Sequence, residues 1–339
     1  MIIRARSPAR IYFGGGGTDI SPYPETWGGA TLNASIDRYV YTTLVPKYDQ
    51  SIQIASSAHK KAILYGDASE MKFTGDLDIV KAVIRLLQIK HGANVFIRSD
   101  MPPNTGLGTA AATAVSVIGA FNHVLEKKMN TYEIAEAAYK VEEMLGRIGG
   151  RQNQYSTAFG GINLIEYAGS NNARVIPLKM RRGHIYELEK SLILCYIGSR
   201  GDEGRLQALL KTQKDSYNDA KVLGTLDKLK SITYEMFHAL SSGDLLYFGE
   251  LMDDAFQTKK NIHAGFVTPA IEKVYRLARD SGAIGGRVLG LGGGGHMLFF
   301  CEPNKEHEVS ASLQAAGCSI VDFGFEFDGL QSWEVSSSM

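Results

Sequence analysis

A chain of 339 residues exceeds the size at which one hydrophobic core stops growing, so two domains are expected. With 36 basic against 36 acidic side chains the net charge is zero, which argues against a general nucleic-acid or membrane-surface binder and leaves room for a local basic pocket. The cysteines Cys195, Cys301 and Cys318 show no CxxC spacing, so they read as buried thiols in a reducing compartment rather than as a disulfide framework or zinc site.

Met1 to Phe13 reads as a strand that reaches a first glycine cluster, Gly14 to Gly17. Its opening residues, MIIRARSPAR, lack the apolar core of a signal peptide. No run approaches the roughly 18 apolar residues of a membrane span. A cytoplasmic location is expected. Residues 38–47 are rich in β-branched and aromatic types and read as a strand. The spacing of Ile79, Val80, Val83, Leu86 and Leu87 predicts a helix over 78–91, followed by a strand from Ala93 to Ser99. A loop from Asp100 to Gly108 then feeds an alanine-rich helix, Thr109 to Leu125. Asn130, with Glu133 three residues on, marks a capped helix start, and that helix stops near Gly146. A glycine-bounded segment, 149–161, precedes a strand over 162–167.

The polar, basic stretch 169–184 marks the junction between a domain over 1–182 and one over 183–339. Beyond it the sequence predicts a strand over 192–197, helices over about 203–243, 245–261 and 268–282, a glycine loop, a strand over 297–301, a helix over 305–316 and a last strand near 319–327. Strands and helices mix without regular alternation, which favours an α+β class.

The segment Pro102-Pro103-Asn104-Thr105-Gly106-Leu107-Gly108-Thr109-Ala110-Ala111-Ala112 is the most informative. A glycine loop opening a helix presents unpaired backbone N–H groups and the positive end of the helix dipole, which is an anion site. No Gly-Lys-Ser/Thr follows, so it is not a Walker A loop. It fits the dinucleotide pattern G-x-G-x-x-A, and an oxidoreductase binding NADH is one alternative that this match alone would carry. That alternative leaves two other glycine segments unexplained: Pro8 to Asp19, and Gly290-Leu291-Gly292-Gly293-Gly294-Gly295-His296.

These three segments, in this order, resemble the GHMP small-molecule kinases, the family of galactokinase, homoserine kinase, mevalonate kinase and phosphomevalonate kinase. Ser21-Pro22-Tyr23, Gly149 to Tyr155, Ala158 to Gly161, Pro177 to Met180 and the stretch from Asp328 to Trp333 narrow the likeness to the heptose-phosphate kinases. The resemblance covers nearly the whole chain. It implies a ribosomal protein S5 domain 2-like N-terminal domain and a ferredoxin-like C-terminal domain, with ATP and a sugar or sugar phosphate meeting between them. It implies transfer of the ATP γ-phosphate to a sugar hydroxyl on the route to a nucleotide-activated heptose.

By that resemblance Pro103, Asn104, Thr105, Gly106, Leu107, Gly108, Thr109 and Ala110 hold ATP. Glu142, or its neighbour Glu143, and Thr109 hold Mg²⁺, which commonly takes one or two protein carboxylates plus phosphate oxygens. Arg10, Gly16, Gly17, Thr18, Asp19, Gly293 and Gly294 contact the sugar, with Arg200 a further phosphate contact. His296 reads as a packed residue. No nucleic acid or membrane partner is expected, and a homodimer is open.

Two positions depart from the family pattern. Where the family carries an Asp that serves as base or orients the hydroxyl, this chain has Asn153, which can hold a hydroxyl but cannot take its proton. Asn153, Arg151 and Asp19 are the expected catalytic set. Ala110 stands where the family carries a serine. Two functions remain open: an active sugar kinase with a shifted mechanism, and a sugar- or nucleotide-binding relative with little turnover.

Overall fold

The computed structural model describes residues 1–169, 172–200, 203–217, 219–262, 264–290 and 292–335. Strand β1 (Ile3–Gly14) is buried on both faces from Ser7 onward and ends in the first glycine cluster. After a short helix α1 (Tyr23–Trp27) comes β2 (Gly29–Pro46), which starts well before the expected residue 38. Its first half, GATLNASI, has weak strand propensity. It is extended because β1 pairs with it on one side and β6 (Ile162–Tyr167) on the other, so tertiary pairing decides it. A hairpin of β3 (Ile52–Ser56) and β4 (Lys61–Tyr65) lacks a recognisable turn signal and is a finding of the structure. Helix α2 (Asp78–Leu86) stops early, at a Gln88 with φ of 52°, and β5 (Ala93–Ser99) follows as expected.

Helix α3 (Thr109–Asn122) is buried along most of its length against β1 and β2. Helix α4 (Thr131–Met144) begins with the expected capping box: Asn130 accepts from the Glu133 N–H at 3.1 Å, and Glu133 accepts from the Asn130 N–H at 2.8 Å. The glycine-bounded segment contains a further helix, α5 (Gln152–Phe159). Strand β7 (Ala173–Pro177) and helix α6 (Arg182–Ser191) lie in the polar stretch that reads as a junction, and β8 (Leu192–Tyr196) follows.

The expected helical region 203–243 is two helices, α7 (Glu203–Asp215) and α8 (Ala220–Ser242). Then come α9 (Leu245–Lys259), α10 (Pro269–Asp280), β9 (Ala283–Val288), β10 (His296–Cys301), α11 (Glu306–Ala315), β11 (Ser319–Val321) and β12 (Gln331–Glu334). The glycine-rich β9 is held extended by its pairing with β10, and its glycines let α9 come close: a Cβ at Gly285 would lie 2.1 Å from the Gly249 carbonyl oxygen.

Among the described residues two sheets form. The first has the order β12-β1-β2-β5-β3-β4, with β6 on β2 and β7 on β6; only the β3–β5 pair is parallel. The second, β11-β8-β10-β9, is antiparallel. The last strand thus returns to the first sheet, and Phe325 forms an isolated bridge with Ile36 of β2. Cys195, Cys301 and Cys318 are buried free thiols. No helix among the described residues is long and apolar enough to cross a membrane.

An aromatic column joins the two sheets. Phe248 on α9 packs edge-on against Phe13 of β1 (centroids 5.2 Å apart) and against Phe300 of β10 (5.7 Å). Phe248→Ala is therefore expected to cost about 3–5 kcal/mol of stability. Urea unfolding checks it, and a loss under about 1 kcal/mol would mean that other contacts hold the sheets together.

Candidate active site

The loop before α3 takes its shape from three residues with positive φ: Asn104 (59°), Gly106 (92°) and Gly108 (78°). Gly108 is the N-cap and no side chain caps the helix, so the N–H groups of the first turn face the cavity rather than a capping oxygen. The small residues Thr109, Ala110 and Ala111 line that cavity.

The C-terminal glycine segment packs directly on this loop. A Cβ at Gly106 would lie 2.7 Å from the Leu289 carbonyl oxygen, and one at Gly290 would lie 3.0 Å from the Gly106 Cα. Only two bare backbones fit. His296 fastens the contact: its backbone N–H donates to the Thr105 carbonyl at 3.1 Å, and its Nδ1 lies 2.8 Å from the same oxygen. It is a packed residue, and burial holds its imidazole below the usual range.

Arg10 of β1 joins the glycine loop to α5. Its backbone N–H donates to the Leu107 carbonyl, Nη1 to the Gly106 carbonyl at 2.6 Å, and Nε and Nη2 to Asn153 Oδ1 at 2.8 and 2.6 Å. The guanidinium is only 3% exposed. Burial lowers its pKa to about 10, with help from Arg200 and against the pull of Tyr12 and Asp19.

Asp19 is equally buried and accepts from the backbone N–H groups of Gly17 (3.2 Å) and Gln152 (3.1 Å). Burial raises its carboxyl pKa, and these bonds oppose the shift. Gly150 is glycine because a Cβ there would lie 1.9 Å from Asp19 Oδ2.

Tyr12 sits beside this pair with its ring wholly buried. Arg287 of β9 lies 3.7 Å above the ring, Arg10 at 5.4 Å, and Lys259 Nζ lies 3.4 Å from the hydroxyl. Burial pushes the phenol up, but Arg287, Lys259 and Arg10 together outweigh it and bring the pKa down to about 7.

The cavity brings together Arg10, Gly16, Gly17, Asp19, Asn104, Thr105, Gly106, Gly108, Thr109, Ala110, Glu142 and Asn153. Six expected site residues fall elsewhere, among them Pro103, which lines a second cavity. Thr18 is fully buried in the turn, with its hydroxyl 2.8 and 2.9 Å from the Gly15 and Ala30 carbonyl oxygens. Arg151 points away from the cavity, 3.4 Å from Glu136 and 3.9 Å from Glu25, over the Tyr139 ring. Gly293 and Gly294 pack behind the wall against Phe266 and Ser199, and Gly290 takes the lining position. Leu107 is core, and only its carbonyl is used, by Arg10. Leu291 lies outside the described residues. Glu142 faces the cavity, whereas Glu143 is exposed away from it.

Sequence reasoning missed Tyr12, which lies inside the Pro8 to Asp19 segment without an expected role, and Lys259, Gln207 and Gln213, which lie outside every motif. The last two come from α7, which forms a roof: Gln213 donates to the Gly17 carbonyl at 3.3 Å, and Gln207 accepts from the Ile148 N–H at 2.8 Å. It also missed a second, more apolar cavity that shares Thr109 and Arg147 with the first and is lined by His59, Phe73, Ile79, Val80, Met144 and Leu145.

Four cationic side chains (Arg10, Arg147, Arg200, Lys259) against two carboxylates (Asp19, Glu142) make the first cavity suited to a polyanion. No cluster of three or more His, Cys, Asp or Glu that could hold a metal exists among the described residues. The residues present nevertheless fit Mg²⁺ shared with phosphates. Thr109 Oγ1 is buried at the helix start without a hydrogen-bond partner, and the Glu142 carboxylate, held by Gln154 Nε2 at 3.0 Å, lines the same cavity.

The signature described as GHMP kinases N terminal domain matches residues 78–161, and that described as GHMP kinases C terminal matches 236–317. The chain is 31% identical to a D-glycero-alpha-D-manno-heptose 7-phosphate kinase of Campylobacter jejuni, across 98% of this chain and 99% of that protein. It is 25% identical to a mevalonate kinase of Pyrococcus abyssi across 98% of each. The crystal structure of a D-glycero-D-manno-heptose 1-phosphate kinase from Bacteroides thetaiotaomicron superposes with a TM-score of 0.82 at 28% identity, covering 99% of this chain and all of that one. The mixed α/β fold, the three glycine segments meeting at one cavity and full-length similarity to kinases of one kind lead to a single conclusion: the chain belongs to the GHMP kinase family.

Proposed function

We propose that this protein is an ATP-dependent sugar kinase that transfers the γ-phosphate to a hydroxyl of a heptose phosphate or related sugar, in the supply of a nucleotide-activated heptose. One observation carries the reading: an uncapped helix start with an orphaned Thr109 hydroxyl faces a buried carboxylate, Asp19, across one cationic cavity.

In this reading the triphosphate lies on the backbone N–H groups of 106–110, with Asn104 and Thr105 beside it. The base enters the apolar cavity next to Pro103, between His59, Phe73 and Met144. Glu142 and Thr109 would hold Mg²⁺, whose chemistry is to neutralise charge on the phosphates. Asp19 and the unpartnered Gln152 Oε1 accept hydrogen bonds from sugar hydroxyls. Residues 1–182 and 183–339 act as N-terminal and C-terminal GHMP domains, the second closing the site through α7 and Gly290.

Arg10 holds the Asn153 oxygen with two N–H bonds, so the carboxamide serves to position the guanidinium rather than to move a proton. Phosphoryl transfer depends chiefly on position and charge stabilisation, so the loss of a carboxylate there is compatible with turnover. The second reading, a binding protein without turnover, is favoured by the same amide and by Ala110.

Two measurements test the reading. ADP formation from Mg-ATP is followed with heptoses phosphorylated at either end, mannose and related hexoses, for the natural chain and Asn153→Asp. Sugar-dependent turnover by the natural chain is expected. Turnover by Asn153→Asp alone would mean a sugar site disabled at its base, and silence from both with ATP still raising the Tm would establish the binding protein. The second variant is Gly108→Ala, which places a side chain at φ 78° with its Cβ 3.3 Å from Arg10. It should cost about 1–2 kcal/mol of stability and abolish most of the Tm rise given by Mg-ATP. An unchanged rise would place the phosphates elsewhere.

A further inference from the structure

We propose that Tyr12 is the group that takes the proton from the attacking sugar hydroxyl; the inference rests on the kinase reading above. A proton acceptor must reach the acceptor hydroxyl and be free of other duties. Both carboxylates of the cavity already accept from protein N–H groups, which lowers their basicity. Asp19 accepts from Gly17 N–H, Gln152 N–H and, at 3.4 Å, Gln152 Nε2. Glu142 is held by Gln154 and faces the helix start. Asn153 has no acidic form, and its oxygen is taken by Arg10.

Tyr12 stands at the meeting point of the two halves of the site. On one side its hydroxyl would lie 3.3 Å from a Cβ at Gly16, in the loop that carries Asp19. On the other it lies 3.2 Å from the carbonyl oxygen of Gly290, the residue that touches Gly106 of the phosphate loop. Tyr12 thus lines the cavity where both glycine segments meet.

The charges around the ring favour the phenolate. Arg10 faces it from β1, Lys259 from the end of α9 and Arg287 from β9. Arg287 is 5% exposed, its Nε has no hydrogen-bond partner, and no carboxylate pairs with it among the described residues. Arg287 Nη1 donates to the Phe13 carbonyl, and a phenolate below it would supply the buried guanidinium with a counter-charge. Two long contacts, to the Gly290 carbonyl at 3.2 Å and the Val288 carbonyl at 3.4 Å, hold the protonated form only weakly.

The step balances as follows. The sugar oxygen forms its bond to the γ-phosphorus. The bond from that phosphorus to the β–γ bridging oxygen breaks, and its electron pair leaves with ADP. The hydroxyl proton passes to the Tyr12 oxygen and from there to water.

The test uses the full chain, Tyr12→Phe and Lys259→Met. In the natural chain one tyrosine should ionise near pH 7, seen as tyrosinate absorbance at alkaline-shifted wavelength, and that titration should vanish in Tyr12→Phe. Turnover should rise as pH rises through the same value, because the deprotonated form is the acceptor. Tyr12→Phe should keep its ATP-induced Tm rise and lose about 10²-fold or more in kcat along with that limb of the profile. Lys259→Met removes one cation, so the limb should move to higher pH. A natural chain with no sugar-dependent turnover would overturn the kinase reading and this inference together. An active natural chain whose rate and pH profile survive Tyr12→Phe, or one lacking a tyrosine that titrates near neutrality, would overturn this inference alone. Should Tyr12→Phe fail to fold, an unmoved limb in Lys259→Met overturns it.

Discussion

A single buried guanidinium organises this molecule. Arg10 lies on β1, beside the glycine loop that opens α3, and is nearly inaccessible to water. Its partners are neutral: a backbone carbonyl and a carboxamide. A buried charge without a paired carboxylate is costly, and the lowered pKa is the sign of that cost. The arrangement is tolerable because each N–H that could meet a protein acceptor does so, and because an anion entering the adjacent cavity would supply the missing counter-charge. The same three contacts fix the geometry of β1, the phosphate loop and α5 relative to one another, so the chemistry and the architecture share one residue.

The second constraint is the contact between two bare backbones. Gly106 and Gly290 belong to segments almost two hundred residues apart, yet any side chain on either would collide with the other segment. Glycine loses more conformational freedom on folding than any other residue, so such loops are unfavourable by themselves. Here the loss is offset by the contacts that tie the two segments together, His296 bound to the Thr105 carbonyl and Arg10 to the Gly106 carbonyl. The cavity is therefore a product of both halves of the chain. Neither the phosphate loop nor the C-terminal glycines would hold its shape alone.

A chain of zero net charge also shows how charge is distributed rather than how much there is. The cations Arg10, Arg147, Arg200 and Lys259 converge on one cavity, and the buried Arg287 stands just behind Tyr12. Other carboxylates stand in exposed pairs such as Lys61–Asp76 and Lys228–Asp254. In a low-dielectric pocket Arg287, Lys259 and Arg10 pull the ionisation of Tyr12 down, while burial pushes that of Asp19 up, and the exposed pairs contribute little.

The sequence by itself determined the glycine loop, the helix that follows it, the capping box at Asn130 and the α+β class, because each depends on neighbours in the chain: φ preferences, local hydrogen bonds and apolar spacing. It also determined that Asn153 cannot take a proton, since that is a property of the side chain alone. Tertiary structure decided the rest. The first half of β2 and the glycine-rich β9 are strands only because partners pair with them. Thr18 and Arg151 look like site residues in the linear pattern, but a turn and a pair of carboxylates claim their polar atoms. Tyr12 lies inside the first glycine motif at a position to which the pattern gives no role, and Lys259 and Arg287 lie outside every motif. Their proximity across β1, α9 and β9 is long-range packing, which no local pattern in the sequence encodes.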